Sequence, residues 1–467
     1  MWNIAPRKLN GRTPEAAPPP PPPVSTQPAP RVAAAPAVQP ANDYMDLKVS
    51  IHQELLGLMN LAALETMSRE QIAAEVAELV NEQLHQKSHL LNALERRNLA
   101  DEIVDELIGL GPLEPLLKDE AVADILVNGP YQVWVERRGK LELTRVKFRD
   151  EKHLQRIIGK IVSAIGRRVD EASPMVDARL PDGSRVNAII PPLAIDGSLV
   201  SIRKFSKKPI TFEEMIRRGS VPRAVSEVLK EVVRCRRNII VSGGTGSGKT
   251  TMLNALSTFI EPDERIVTIE DSAELQLQQV HVCRLETRPP NMEGRGEVTM
   301  RDLVKNSLRM RPDRIILGET RGGEAFDVLQ SMNTGHDGSM TTIHANTPRD
   351  GLGRLEQMIG MSGLEISPRA ARMQIASAVH VILQLERMSD GKRRMTSVSE
   401  ITGMEGDVVT MQEIFRFRRT GRGADGAVLG RFEATGVRPK FMDYITARGG
   451  NLSPELFHPD RDLGAEA

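Results

Sequence analysis

Residues 238–256 read NIIVSGGTGSGKTTMLNAL, and the reading of this stretch decides the fold. Asn238 to Val241 is a short apolar run of the kind that forms a buried strand. Gly243, Gly244, Thr245, Gly246, Ser247, Gly248, Lys249 and Thr250 follow it, and a helical pattern through Met252, Leu253 and Leu256 comes next. This is G-x-x-x-x-G-K-[ST] between a strand and a helix, the context in which the pattern cradles phosphate. Glycines let the backbone curl so that successive N–H groups turn inward, and the helix start adds its positive end. Lys249 is expected on the β and γ phosphates, Thr250 on Mg²⁺, and Thr251 as the next residue of the cradle. ATP as substrate and Mg²⁺ as cofactor are therefore expected.

A phosphate cradle only binds. Hydrolysis also needs acids that hold the metal's hydration shell and aim a water in line. Ile315 to Leu317 reads as a second buried strand and ends in Gly318-Glu319, where most P-loop enzymes carry an aspartate before the turn. Ile266 to Ile269 reads as a third and ends in Glu270-Asp271. Strand C-termini of an open parallel α/β sheet converge on one crevice, which brings Glu270, Asp271 and Glu319 together as candidates. Acids at strand ends also serve as plain helix caps. Glu270 and Glu319 are the stronger catalytic candidates, acting on Mg²⁺ through water. His336 and His344 flank a small-residue stretch, 335–346, and an imidazole there can register a γ-phosphate by hydrogen bonding.

Further out, the composition bounds the alternatives. The chain has 467 residues, so two or three domains are expected. Basic and acidic residues number 62 each, which gives no global pull toward nucleic acid or an anionic membrane. Aromatic residues are 3%, few for stacking on single strands, so nucleic acid is a disfavoured partner. Two cysteines, Cys235 and Cys283, exclude a disulfide framework or a four-thiolate zinc site, and a reducing compartment fits. Val379 to Leu385, among the longest apolar runs, is far short of the ~20 residues that span a bilayer. No signal-peptide core stands at the N-terminus. A cytoplasmic protein, peripheral at a membrane only through partners, is expected.

Residues 1–42 are rich in proline and alanine, with an unbroken run from Pro18 to Pro23, and read as a disordered or polyproline tail. Residues 43–110 read as a helical bundle. Ser68 with Gln71 forms a capping box; Ile72, Val76, Leu79, Val80 and Leu84 make one stripe, and Leu90, Leu91 and Leu94 start another. Ile103, Val104 and Leu107 continue such a stripe, and Gly109 with Pro112 ends it. Residues 111–206 turn β-rich at Ile125–Val127, Val133–Val135, Leu141–Phe148, Arg185–Ile190 and Leu199–Phe205, with a helix over Lys152–Ile165. That pattern predicts a small α+β domain. A linker is expected at 207–222, the nucleotide-binding domain at 223–440, and a C-terminal tail at 441–467.

Taken in order, the Gly243–Thr250 loop, Glu270-Asp271 with Glu274, the aspartate-free strand before Glu319 and the histidine stretch resemble the type II/type IV secretion ATPases. Residues 181–187, 201–205, 288–291 and 308–314 resemble in particular the CpaF/TadA branch, which powers Flp-type (tight adherence) pilus assembly. The resemblance covers about 111–417. It implies a RecA-like C-terminal domain joined to the small α+β domain, with nucleotide between them. It also implies a homo-hexamer and a membrane platform as partner at the inner face of the inner membrane. By matching positions Glu319 would be the atypical Walker B acid, Glu270 the acidic-box residue and His344 the sensor. Arg185 and Arg203 would close on the phosphates, with Arg179 a weaker third. Arginine's fork suits developing phosphate charge, although surface arginines more plainly form ion pairs. Many type II secretion ATPases carry a tetracysteine zinc insert, which two cysteines cannot build. A retraction or conjugation-type motor is the alternative in the class; a nucleic-acid translocase or a nucleotide-gated scaffold lies outside it.

Overall fold

The computed structural model describes residues 67–86, 91–137, 139–205, 210–291, 294–459, 461 and 463, with six positions between 47 and 55. The proline-rich tail expected over 1–42 lies outside the described residues. The chain divides into two compact units, Met1–Met67 and Ser68–Ala467. In the first, the described residues between 47 and 55 are helical, and Ile51 and Leu55 are fully buried.

The second unit opens with two packed helices, Arg69–Gln86 and Ala93–Leu107. Ser68 and Gln71 exchange capping bonds of 2.8 and 3.3 Å, and Ile72, Val76, Val80 and Leu84 are buried. The second stripe fares differently. Asn92 and Glu95 cap the helix reciprocally, which turns Leu94 out in the first turn at 67% exposure; it is not a core residue.

A six-stranded antiparallel sheet follows, ordered β3-β2-β1-β6-β5-β4. Its strands are β1 (Val122–Asn128), β2 (Val133–Arg137), β3 (Lys140–Leu143), β4 (Met175–Arg179), β5 (Arg185–Ile189) and β6 (Leu199–Arg203). The helix Glu151–Ser163 buries Leu154, Ile157, Ile158, Ile161 and Val162 on one face. The strand expected through Phe148 ends at Leu143; Thr144 gives both its amide (2.9 Å) and its hydroxyl (2.8 Å) to the Val133 carbonyl, the last bonds to β2. Strand β4 was not expected: only Val176 within it is buried and Ala178 only partly so, which leaves too short an apolar alternation to stand out.

The second sheet has nine strands, ordered β15-β14-β13-β12-β7-β11-β10-β8-β9. They are β7 (Ile239–Gly243), β8 (Ile266–Glu270), β9 (Val282–Glu286), β10 (Arg314–Leu317), β11 (Met340–Ile343), β12 (Val381–Arg387), β13 (Arg393–Glu405), β14 (Val408–Arg422) and β15 (Val428–Ala434). From β12 to β9 every pairing is parallel; β13 to β15 extend the edge as antiparallel hairpins. Parallel strands need crossovers, and helices cover both faces. Ile239 and Val241 face the core shared with helices Arg223–Arg234 and Lys249–Ser257, while Ile240 faces the one built by helices Glu324–Asn333 and Pro348–Gly360. This is the RecA-like α/β arrangement, with the phosphate-loop strand central.

Two further segments are more ordered than their expected roles. The 207–222 stretch holds the helix Phe212–Arg217, capped by Thr211. The 441–467 stretch holds the helix Phe441–Ala447, and Ile445, Leu456 and Phe457 pack in one core with Val228, Val232 and Ile239.

Candidate functional site

The parallel register aligns the C-terminal ends of four strands. Leu317 stands opposite both Ile269 and Thr341, and Ile343 stands opposite Ser242. Glu270, Gly318-Glu319, His344 and the loop after Gly243 therefore leave the sheet at one edge. His336 precedes β11 and so lies at the other edge; the structure separates the two histidines.

Gly246 and Gly248 have φ of +67° and +95°, values that L side chains rarely adopt. The curl gathers three donors on the Gly244 carbonyl: Ser247 N at 3.4 Å, Ser247 Oγ at 2.9 Å and Lys249 Nζ at 3.1 Å. These are groups a phosphate oxygen would also take. Gly243 is fixed by space, since a Cβ there would meet the Leu385 carbonyl at 2.7 Å. Burial pushes the Lys249 ammonium below its ordinary pKa, with the neighbouring Glu319 carboxylate opposing.

Glu270 is 3% exposed. Its Oε1 accepts from the amides of Glu274 and Leu275, each at 2.9 Å, while Oε2 has no partner among the described residues. Burial raises its pKa, against those two bonds. An orphaned buried carboxylate oxygen at this place fits a water or the hydration shell of a cation. Glu319 is held differently. Arg321 binds its Oε2 through Nε (2.9 Å) and Nη2 (2.6 Å), and reaches Asp271 at 3.4 Å. Thr342 Oγ1 donates to the Gly318 carbonyl at 2.7 Å, which fixes the turn before Glu319. Arg321 did not stand out in the sequence; its one signal was an arginine two positions after the acid.

The small sheet presents a row of charge across its strands. Glu136, Asp124, Arg203, Arg185 and Arg179 are successive register partners from β2 to β4. Arg185 Nη1 binds Glu274 at 2.7 Å, and Arg179 Nη1 binds Glu286 at 2.7 Å. Arg203 shares with Arg185, Thr250, Thr251 and Glu274 a cavity of about 170 Å³. A second cavity, about 680 Å³, adjoins it between Thr251, Met252, Arg218 and Arg393.

His344 is half-buried at the end of β11, and the chain behind it is held by Gln384, whose Nε2 donates to the carbonyls of Ala345 (3.2 Å) and Asn346 (3.1 Å). Among the described residues no cluster of three or more His, Cys, Asp or Glu could hold a metal alone. A divalent cation here would need phosphate oxygens beside Thr250 and the acids, as Mg²⁺ commonly does. No described helix is long and apolar enough to cross a membrane.

A family model described as Type II/IV secretion system protein matches residues 106–424. The chain is 39% identical over 309 residues to a putative conjugal transfer protein of Mycobacterium tuberculosis, Rv3659c, covering 65% of this chain and 87% of that one. It is 33% identical over 314 residues to the conjugal transfer protein TrbB of Rhizobium radiobacter, covering 66% and 90%. Among solved structures it is similar to the VirB11 ATPase of the Brucella suis type IV secretion system. That match has 30% identity and a TM-score of 0.34, covering 62% of this chain and 95% of that one. With the phosphate loop, its acids and the RecA-like sheet already in place, the chain belongs to the type II/IV secretion system protein family and is a P-loop ATPase.

Proposed function

We propose that this ATPase does mechanical work as a homo-hexameric motor that powers assembly of a Flp-type (tight adherence) pilus from the cytoplasmic face of a membrane platform. One observation carries the motor reading: the phosphate loop and its acids belong to one sheet, while Arg185 and Arg203, beside Thr250, belong to another. Phosphate charge then acts across the boundary between two sheets, and binding or loss of the γ-phosphate would change how tightly they close. The pilus reading is supported by the runs 181–187, 201–205, 288–291 and 308–314.

In the proposed cycle the loop amides and Lys249 grip the triphosphate. A magnesium ion bound with it would neutralise charge on the β and γ oxygens, and Thr250, with Glu270 and Glu319 through water, are the residues that fit it. Glu270 orients the attacking water through its unpartnered oxygen. Glu319 is kept in place by Arg321. Arg185 exchanges Glu274 for the γ-phosphate and stabilises its developing charge. His344 registers departure of the phosphate.

The names of the relatives favour a second reading, a conjugation-type secretion motor. The test has two arms. Purified full-length protein and its Lys249→Ala variant are compared for ATP affinity and phosphate release, with particle sizing; equal values in the two would overturn the ATPase site. In cells lacking the protein, surface filaments and plasmid transfer are scored. Loss of filaments alone supports the pilus reading, and loss of transfer alone supports the other.

A further inference from the structure

Arg387 and Arg393 stand directly opposite each other on β12 and β13. Like charges facing across an antiparallel pair repel, so such a pair weakens the hairpin unless each is drawn elsewhere. Each is. Arg387 Nη2 donates to the carbonyl of Gly139, between β2 and β3 of the small sheet, at 2.7 Å, and lies 3.8 Å from Glu136. Arg393 Nε donates at 2.9 Å to the carbonyl of Gly246, inside the phosphate loop. Desolvation and the facing Arg387 lower the Arg393 pKa from its ordinary value. One hairpin thus holds the small sheet with one arginine and the phosphate loop with its neighbour.

The bond to Gly246 has a directional consequence. A trans peptide is planar, so the Gly246 carbonyl and the Ser247 N–H point opposite ways. Holding that oxygen toward Arg393 fixes where the Ser247 amide aims. Gly246, at φ +67°, has the freedom to turn that plane otherwise. The same hairpin reaches the histidine stretch through Gln384 of β12.

We propose that Arg387 and Arg393 are positioning residues that couple the small sheet to the phosphate loop, so that movement of the β2–β3 end of that sheet resets the amides that grip ATP. The proposal rests on ATP hydrolysis at this loop and not on which filament or cargo the machine serves.

The test uses full-length protein carrying Arg387→Ala, Arg393→Ala, both together, or Arg387→Lys, with kcat and KM measured beside the affinity for a fluorescent ATP analogue. Each alanine variant is expected to lower kcat about tenfold while nucleotide affinity stays within about threefold. The double variant is expected to be no slower than the worse single, because the two residues act as one unit. Lysine at 387 still reaches the Gly139 carbonyl and is expected to recover most of the turnover. Unchanged kcat in either single variant, or effects that multiply in the double, would overturn the coupling. Lost affinity at unchanged kcat would also overturn it, making Arg393 an ordinary nucleotide ligand. Melting curves identify variants that fail to fold; Arg387→Met and Arg393→Met, which keep the apolar stem and lose the donors, then carry the same comparison.

Discussion

A Cβ added to Gly318 would stand 2.9 Å from Cγ of Glu270 and 3.2 Å from its Oε1. The absence of a side chain where P-loop enzymes commonly carry an aspartate is thereby explained: the carboxylate of the neighbouring strand fills that volume. Gly318→Ala is expected to cost about 1–3 kcal/mol of stability by overpacking. Glu270→Ala in the same chain should relieve much of that cost. A double-mutant cycle on denaturant midpoints checks it, and simple additivity would show that the two residues do not compete for space.

Glu270→Gln keeps the acceptor for the amides of Glu274 and Leu275 and removes the charge. Turnover is expected to fall by about 10² or more, the usual scale for losing a base that orients water. Stability should move the other way. The folded-state pKa is raised, so ionisation is harder in the folded than in the unfolded chain, and the stability this costs grows as pH rises past the ordinary carboxylate value. The variant should therefore melt higher than the parent at pH 8, with the gap shrinking toward pH 5. A lower melting point at pH 8 would contradict the assignment.

Arg185→Ala removes an arginine whose ion pair with Glu274 is partly exposed, the two side chains being 39% and 24% accessible. Such a pair contributes little to stability, about 1 kcal/mol at most. An arginine that meets the γ-phosphate in the transition state contributes about 10³-fold or more to rate. A large loss of kcat at nearly constant melting temperature is the expected signature. A fall in both by comparable measure would make Arg185 a structural residue.

His380 gives the chain a pH-sensitive joint away from the nucleotide. It is half-buried, and its Nδ1 accepts from the Asn238 amide at 2.9 Å, just before the phosphate-loop strand. Burial, with Arg237 adding to it, lowers its pKa from 6.5 to about 3. Between those values the unfolded chain binds a proton that the folded chain refuses. Its stability contribution is thus complete above 6.5 and is lost as pH falls toward 3, at up to about 1.4 kcal/mol per pH unit. Denaturation at pH 7.5 and 5.5 should show the loss in the parent and a flatter profile in His380→Gln.

The phosphate loop was legible because its chemistry is local: strand, glycine curl and helix follow one another in the chain, and each demands particular residues. Glu270 and Glu319 were legible as strand ends. Strand β4 was not, since four of its five residues are not buried, even though it pairs with β5 in a local hairpin through residues 180–184. Nor was the hairpin role of Arg387 and Arg393: in sequence they are two charges among many, and only the register sets them face to face. Leu94 misled because a capping box at Asn92 and Glu95 rotates the helix start. Expected boundaries missed ordered pieces at Phe212–Arg217 and Phe441–Ala447, where short helices take their stability from what they pack against.

The charged row on β2 to β4 is hung from adjacent hydrogen-bonded strands rather than from loops. The backbones of the row are therefore coupled: a shift of the strand that carries Arg185 is passed through the hydrogen-bond ladder to the strands of Arg203, Arg179 and Asp124. In the motor proposed above, approach to a bound triphosphate and withdrawal from it would be shared along this row, so that one chemical change moves several charges together.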